Sequence, residues 1–68
     1  MKVGDAVSWS WGQGTATGEI VETFTTRVTR TIKSTKVTRN ATEEDPAHLI
    51  RQKDGGRVLK SASELHLR

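Results

Sequence analysis

Few side chains in this 68-residue chain have chemistry to offer. They are two histidines, His48 and His66, the acids Glu43-Glu44-Asp45, and the cations Arg27, Arg30, Lys33, Lys36 and Arg39. A structural zinc site takes four ligands, and without a cysteine these imidazoles and loop acids do not supply that set. Catalytic carboxylates need an enclosing pocket that separates their pKa values, whereas three neighbouring acids in a polar loop read as a solvated turn. Serines at 8, 10, 34, 61 and 63 are too plentiful for nearness to a histidine to mark a nucleophile. Gly12-Gln13-Gly14 lacks the third glycine and the following helix of a phosphate-cradling loop, so it reads as a β-turn. No enzymatic activity, metal or cofactor is expected.

The basic segment has more force. Residues 25–39 hold the five cations and no acid, while residues 40–54 hold Glu43, Glu44, Asp45 and Asp54 against Arg51 and Lys53. Val28-Thr29-Arg30 and Val37-Thr38-Arg39 suit the two strands of a hairpin, although a turn without glycine or asparagine leaves its register open. With Ser34-Thr35 as the loop, Lys33 would oppose Lys36 and Arg30 would oppose Arg39. Like charges directly opposite destabilise a pair by about 0.2–1 kcal/mol, and a bound anion would relieve that cost. The segment 27–39 is therefore the candidate anion site, and nucleic acid its candidate ligand.

Trp9, Trp11 and Phe24 are the only aromatics. A cage for a methylated cation needs several ring faces, and at least one of these rings must fill the core. Trp9 reads as core. Trp11, at a strand end beside the glycine turn, is the candidate partner-facing ring.

The elements that position these groups are short strands. Val7, Trp9 and Trp11 alternate with Ala6, Ser8 and Ser10, the pattern of a half-buried strand over Ala6–Trp11. A second strand is expected over about Thr15–Phe24, with Glu22 interrupting its apolar face where the strand bends and Gly18 marking a bulge or a close backbone approach. After the hairpin at 25–39 and a polar loop to Pro46, Ala47–Lys53 reads as a strand, Asp54-Gly55-Gly56 as a turn and Arg57–Lys60 as the antiparallel mate. Ser61-Ala62-Ser63-Glu64 has capping-box spacing, but so little chain follows that one 3₁₀ turn before a last strand at Leu65–Leu67 is expected. The expected core is Val7, Trp9, Ile20, Phe24, Ile32, Val37, Ile50, Val58 and Leu65.

This pattern is all-β: a small, partly open SH3-like barrel of about five strands, read as one domain over 1–68 with a basic hairpin excursion at about 25–39. A chain this short buries only roughly 60% of its unfolded surface, and no disulfide supplements the core. Small cores of this kind often gain stability by oligomerising, which makes a homodimer the expected assembly. No apolar run approaches a membrane span and no leader pattern opens the chain, so a cytoplasmic location is the expectation.

The motifs also resemble a known family. Lys2-Val3-Gly4-Asp5-x-Val7-Ser8-Trp9, Trp11-Gly12-x-Gly14, Thr29-Arg30-Thr31-Ile32-Lys33, Val37-Thr38-Arg39, Asp45-Pro46-Ala47, Val58-Leu59-Lys60 and Ser63-Glu64-Leu65 are similar, in order and spacing, to the hypervirulence-associated, tudor-like domain family. The resemblance implies a tudor-like barrel of SH3 type without an established activity. Ser34 departs from the glycine expected in the turn after Ile32-Lys33, and His48 from an aromatic such as tyrosine. Together the features describe a non-catalytic interaction module that binds a protein or its own copy, with nucleic acid as the alternative ligand.

Overall fold

The computed structural model describes residues 1–68. The period-two pattern builds its first ribbon: β1 (Ala6–Trp11) buries Val7 and Trp9, turns through Gly12-Gln13, and returns as β2 (Gly14–Phe24). Gly12 takes φ +52°, a left-handed value that a residue without a Cβ adopts at no steric cost. The ribbon runs in antiparallel register from Trp11 opposite Gly14 to Ala6 opposite Glu19.

Two sets of partners share β2. Its first half pairs with β1 and its second half, from Glu19 to Phe24, with β5 (Ala47–Arg51). The register shifts between Ile20 and Glu22, so the bend expected at Glu22 is a β-bulge at Val21. Just before it, a Cβ on Gly18 would lie 2.5 Å from Ile50 Cγ2 and 2.7 Å from the Arg51 carbonyl oxygen, which is the close approach that glycine permits. The chain then continues through β6 (Arg57–Ser61), the 3₁₀ turn Ala62–Glu64 and β7 (His66–Leu67). The five-stranded sheet has the order β6-β5-β2-β1-β7. The segment β3 (Val28–Ile32) and β4 (Thr35–Arg39) forms a separate two-stranded sheet.

The expected core is split between two apolar layers. Val7, Trp9, Ile20, Ile50 and Leu65, with Val58 against them, fill the curve of the sheet. Phe24, Ile32 and Val37 belong to a second layer with Val28, Ala41, Ala47, Leu49 and Leu59, where the hairpin covers β5 and β6. Ala47, His48, Leu49 and Ile50 are buried in succession because β5 lies between the two layers. That succession is a short continuous apolar run with one histidine, the pattern of a strand covered on both faces.

The hairpin register differs from the arrangement with Ser34-Thr35 as the loop. The turn is Lys33-Ser34, so Ile32 pairs with Thr35, Arg30 with Val37 and Val28 with Arg39. Lys33 and Ser34 both have positive φ, 50° and 65°, the left-handed pair that a two-residue turn of type I′ requires. The shift changes which groups meet: Thr29 and Thr38 bond through their hydroxyls at 2.8 Å, and neither Lys33–Lys36 nor Arg30–Arg39 is an opposed pair.

Two stability predictions follow from this packing. Trp9→Ala is expected to cost roughly 3–5 kcal/mol and to remove most of the cooperative melt, since the ring is 3% exposed in a layer of few residues. A nearly unchanged melt would place the ring outside the core. Ser34→Gly, relieving a left-handed L-residue, is expected to stabilise by about 1 kcal/mol, or roughly 4–8 °C in a domain of this size. An unchanged or lower midpoint would contradict the turn geometry.

Candidate functional site

Side chains alternate across the hairpin, and that alternation divides its cations. Arg30 and Arg39 lie on the face turned toward the larger sheet, where each has partners. The Arg30 guanidinium carbon sits 4.7 Å from the centre of the Phe24 ring, Nη1 donates to the Thr29 carbonyl at 2.9 Å, and Nη2 lies 3.9 Å from Glu22. Arg39 Nε donates to the Leu59 carbonyl at 3.3 Å and Nη1 lies 3.6 Å from Glu64. These two arginines fasten the hairpin over the second apolar layer. Arg27, Lys33 and Lys36 are exposed and join no ion pair.

An opposed pair of like charge does occur, one hairpin further along. Arg51 and Arg57 face each other across β5 and β6. Glu19 lies opposite Arg51 on the other side and meets it at 3.4 Å. Around this row are two open clefts. One, of 260 Å³, is lined by Thr17, Gly18, Glu19, Arg51, Gln52, Lys53 and Arg68 and has no apolar side chain in its wall. The other, of 400 Å³, lies between the hairpin turn at Lys33 and the β5–β6 turn, with Asp54 and Arg57 on its far side. Long-range contact builds both clefts, and no run of residues in the sequence announces them.

Of the acids and histidines, Asp45 and His48 act structurally, and His66 is exposed. Asp45 accepts the Ser63 N–H at 2.9 Å and the Ser63 hydroxyl at 3.0 Å, while its own N–H donates to the Thr42 hydroxyl at 3.0 Å. It therefore clamps the loop to the 3₁₀ turn, a role that reading these acids as a solvated turn does not find, because the Asp45–Ser63 contact spans 18 residues. Glu43 and Glu44 stay exposed. His48 is 1% exposed, with Nδ1 3.0 Å from the Thr23 hydroxyl. Burial lowers its pKa below the usual 6.5, the N-terminal ammonium acts in the same direction, and the Asp45 carboxylate opposes both. No three His, Asp or Glu side chains gather as a metal site, and no helix is long and apolar enough to cross a membrane.

The aromatics occupy three environments: Trp9 in the first layer, Phe24 beneath Arg30 in the second, and Trp11 at the ribbon tip with 67% of its surface exposed. They do not close a cage. A profile of the TUDOR domain of hypervirulence-associated proteins matches residues 4–65. The chain belongs to this TUDOR domain family. No curated protein and no solved structure gave a match. The family accounts for the all-β architecture of tudor and SH3 type, and small TUDOR-like folds are typically non-catalytic interaction modules.

In this TUDOR domain His48 couples stability to pH. Its folded pKa lies below the unfolded value, so between the two the unfolded chain binds more protons and protonation favours unfolding. The contribution is complete above about pH 6.5 and is lost as pH falls toward the folded pKa. The melting midpoint is expected to fall between about pH 7.5 and 5.5, a range above the carboxylate titrations, and the fall is expected to vanish in His48→Phe. Equal slopes in the two proteins would assign the effect elsewhere.

Proposed function

We propose that this domain is a non-catalytic module whose ligand is a protein surface, on another protein or on a second copy, engaged through the tip of the β1–β2 ribbon. The observation that carries this reading is the exposure of Trp11 on a ribbon that outruns its sheet. β1 meets β7 only at Val7 and Ser8, and β2 meets β5 only from Glu19 onward, so both outer edges of the tip lack a neighbouring strand. Tryptophan contributes a large rigid surface at little entropic cost and dominates many interfaces for that reason. Nucleic-acid binding through 27–39 has less support, because Arg30 and Arg39 are engaged within the fold and no aromatic is interleaved with Arg27, Lys33 and Lys36.

Trp11→Ala separates binding from folding. Its melt is expected to stay within about 0.5 kcal/mol of the parent, as for an exposed side chain. Affinity capture from the native cell extract is expected to retain polypeptides on the parent domain and to lose them on the variant, by roughly thirty-fold for an anchoring tryptophan. Sedimentation over a range of concentrations identifies a second copy as the ligand. No captured polypeptide and the mass of one chain throughout would overturn the reading.

A further inference from the structure

The free edge of β2 and the charged cleft at its end are parts of one surface. Gly14–Gly18 pair with β1 on one side and have no strand on the other, because β5 stops pairing at Arg51 and turns away through Gln52. A strand beside Gly14–Gly18 would lie on the same side of β2 as β5 and in line with it. The point where β5 departs is the 260 Å³ cleft, whose wall holds Arg51, Lys53 and Arg68 against the single acid Glu19. Glu19 is already engaged with Arg51, and Arg57 opposes Arg51 with like charge, so the row retains an excess of positive charge.

We propose that an extended acidic peptide segment of a partner protein adds as a strand along Gly14–Gly18, with its carboxylates in the cleft of Arg51, Lys53 and Arg68. This rests on the reading of the domain as a protein-binding module and names its ligand. A free strand edge offers the alternating N–H and C=O groups that main-chain pairing uses, which favours a peptide over a nucleic acid. The excess of cations and the absence of apolar side chains in the cleft select acids over hydrophobic anchors. Thr17 and Glu19 alternate on the face that carries Arg51, so every second residue of the added strand would meet this charged row. The chain's own Glu43-Glu44 segment is not extended, since the Thr42 N–H donates to the Asp45 carbonyl at 3.2 Å and closes that loop.

The test is an NMR titration of the full chain with a short capped peptide alternating valine and glutamate. Three further ligands accompany it: the lysine counterpart, the glutamate peptide N-methylated at alternate residues, and an oligothymidylate of equal charge. The glutamate peptide is expected to shift the amides of Thr15–Gly18 and Arg51–Lys53. Affinity is expected to drop about ten-fold or more on N-methylation, and likewise in Arg51→Gln/Lys53→Gln, which removes two exposed cations and the exposed Arg51–Glu19 pair and leaves the core untouched. Equal binding of the lysine or N-methylated peptide, or oligothymidylate binding at these amides without the glutamate peptide, would overturn the proposal. So would the absence of shifts at these amides with the glutamate peptide, and self-association of the double variant in that case would show that the cations serve only to block the edge. Capture that depends on Trp11 but is intact in Arg51→Gln/Lys53→Gln would leave the module reading standing and remove the β2 edge from it.

Discussion

Everything in this fold turns on β5 having to be covered on both faces. Ala47 and Leu49 point one way, His48 and Ile50 the other, and all four are buried. A single curved sheet can enclose only one of those faces, with Val7, Trp9, Ile20 and Leu65 around Ile50. The other face needs a second layer, and the β3–β4 hairpin provides it with Val28, Ile32 and Val37 over Leu49 and Leu59. Burial at about 25 cal/mol per Å² favours such an arrangement even in a chain with few apolar residues, because one strand contributes to two cores. The hairpin at 25–39 is thus a structural lid on the sheet.

That role explains where the positive charge went. A lid over an apolar layer needs its rim closed, and long side chains with apolar stems close it while keeping their charged ends near water. Arg30 lies across Phe24, and Arg39 reaches the Leu59 carbonyl and Glu64 at the opposite margin. Each such exposed ion pair contributes little alone, about 0–1 kcal/mol, but the hydrogen bonds fix the side chains and take them out of service for a ligand. The β5–β6 turn and the end of β7 bring four other cations together, Arg51, Lys53, Arg57 and Arg68, and of these only Arg51 has an ion pair, with Glu19.

What was legible in the sequence was local. The alternation of Val7 and Trp9 with Ser8 and Ser10 specifies β1, Glu22 marks the bend, Gly18 marks the close approach, and Asp54-Gly55-Gly56 marks the turn before β6. The last strand is shorter than expected, His66–Leu67, because Leu65 ends the 3₁₀ turn and points into the core. The hairpin register was not legible in the residues themselves, because its two left-handed positions are a lysine and a serine and not the asparagine, aspartate or glycine that mark such a turn. The two-layer core was hidden for a related reason: burial of Leu49 and Leu59 depends on a hairpin that precedes them by a long loop. Arg39 and Glu64 meet across 25 residues of sequence, and composition along the chain carries no trace of that contact.

The sharing of β2 links this architecture to recognition. An eleven-residue strand that gives one half to β1 and the other to β5 must change neighbours, and the bulge at Val21 with Gly18 before it lets the sheet curl at that point. Curling closes the barrel around Ile20 and Ile50. It also leaves the first half of β2 without an outer neighbour, because β5 stops pairing at Arg51 and the chain turns back through Gln52 to Gly56. The free edge is therefore a geometric result of closing a small barrel with short strands. Such an edge invites unwanted pairing unless it is guarded, and cations are a common guard. At physiological ionic strength their field reaches only about 8 Å, so Arg51 and Lys53 act on what lies along that edge and on little else. A guard of one sign discriminates: it disfavours neutral and basic strands and admits acidic ones, so protection of the edge and selectivity at it arise from the same charges.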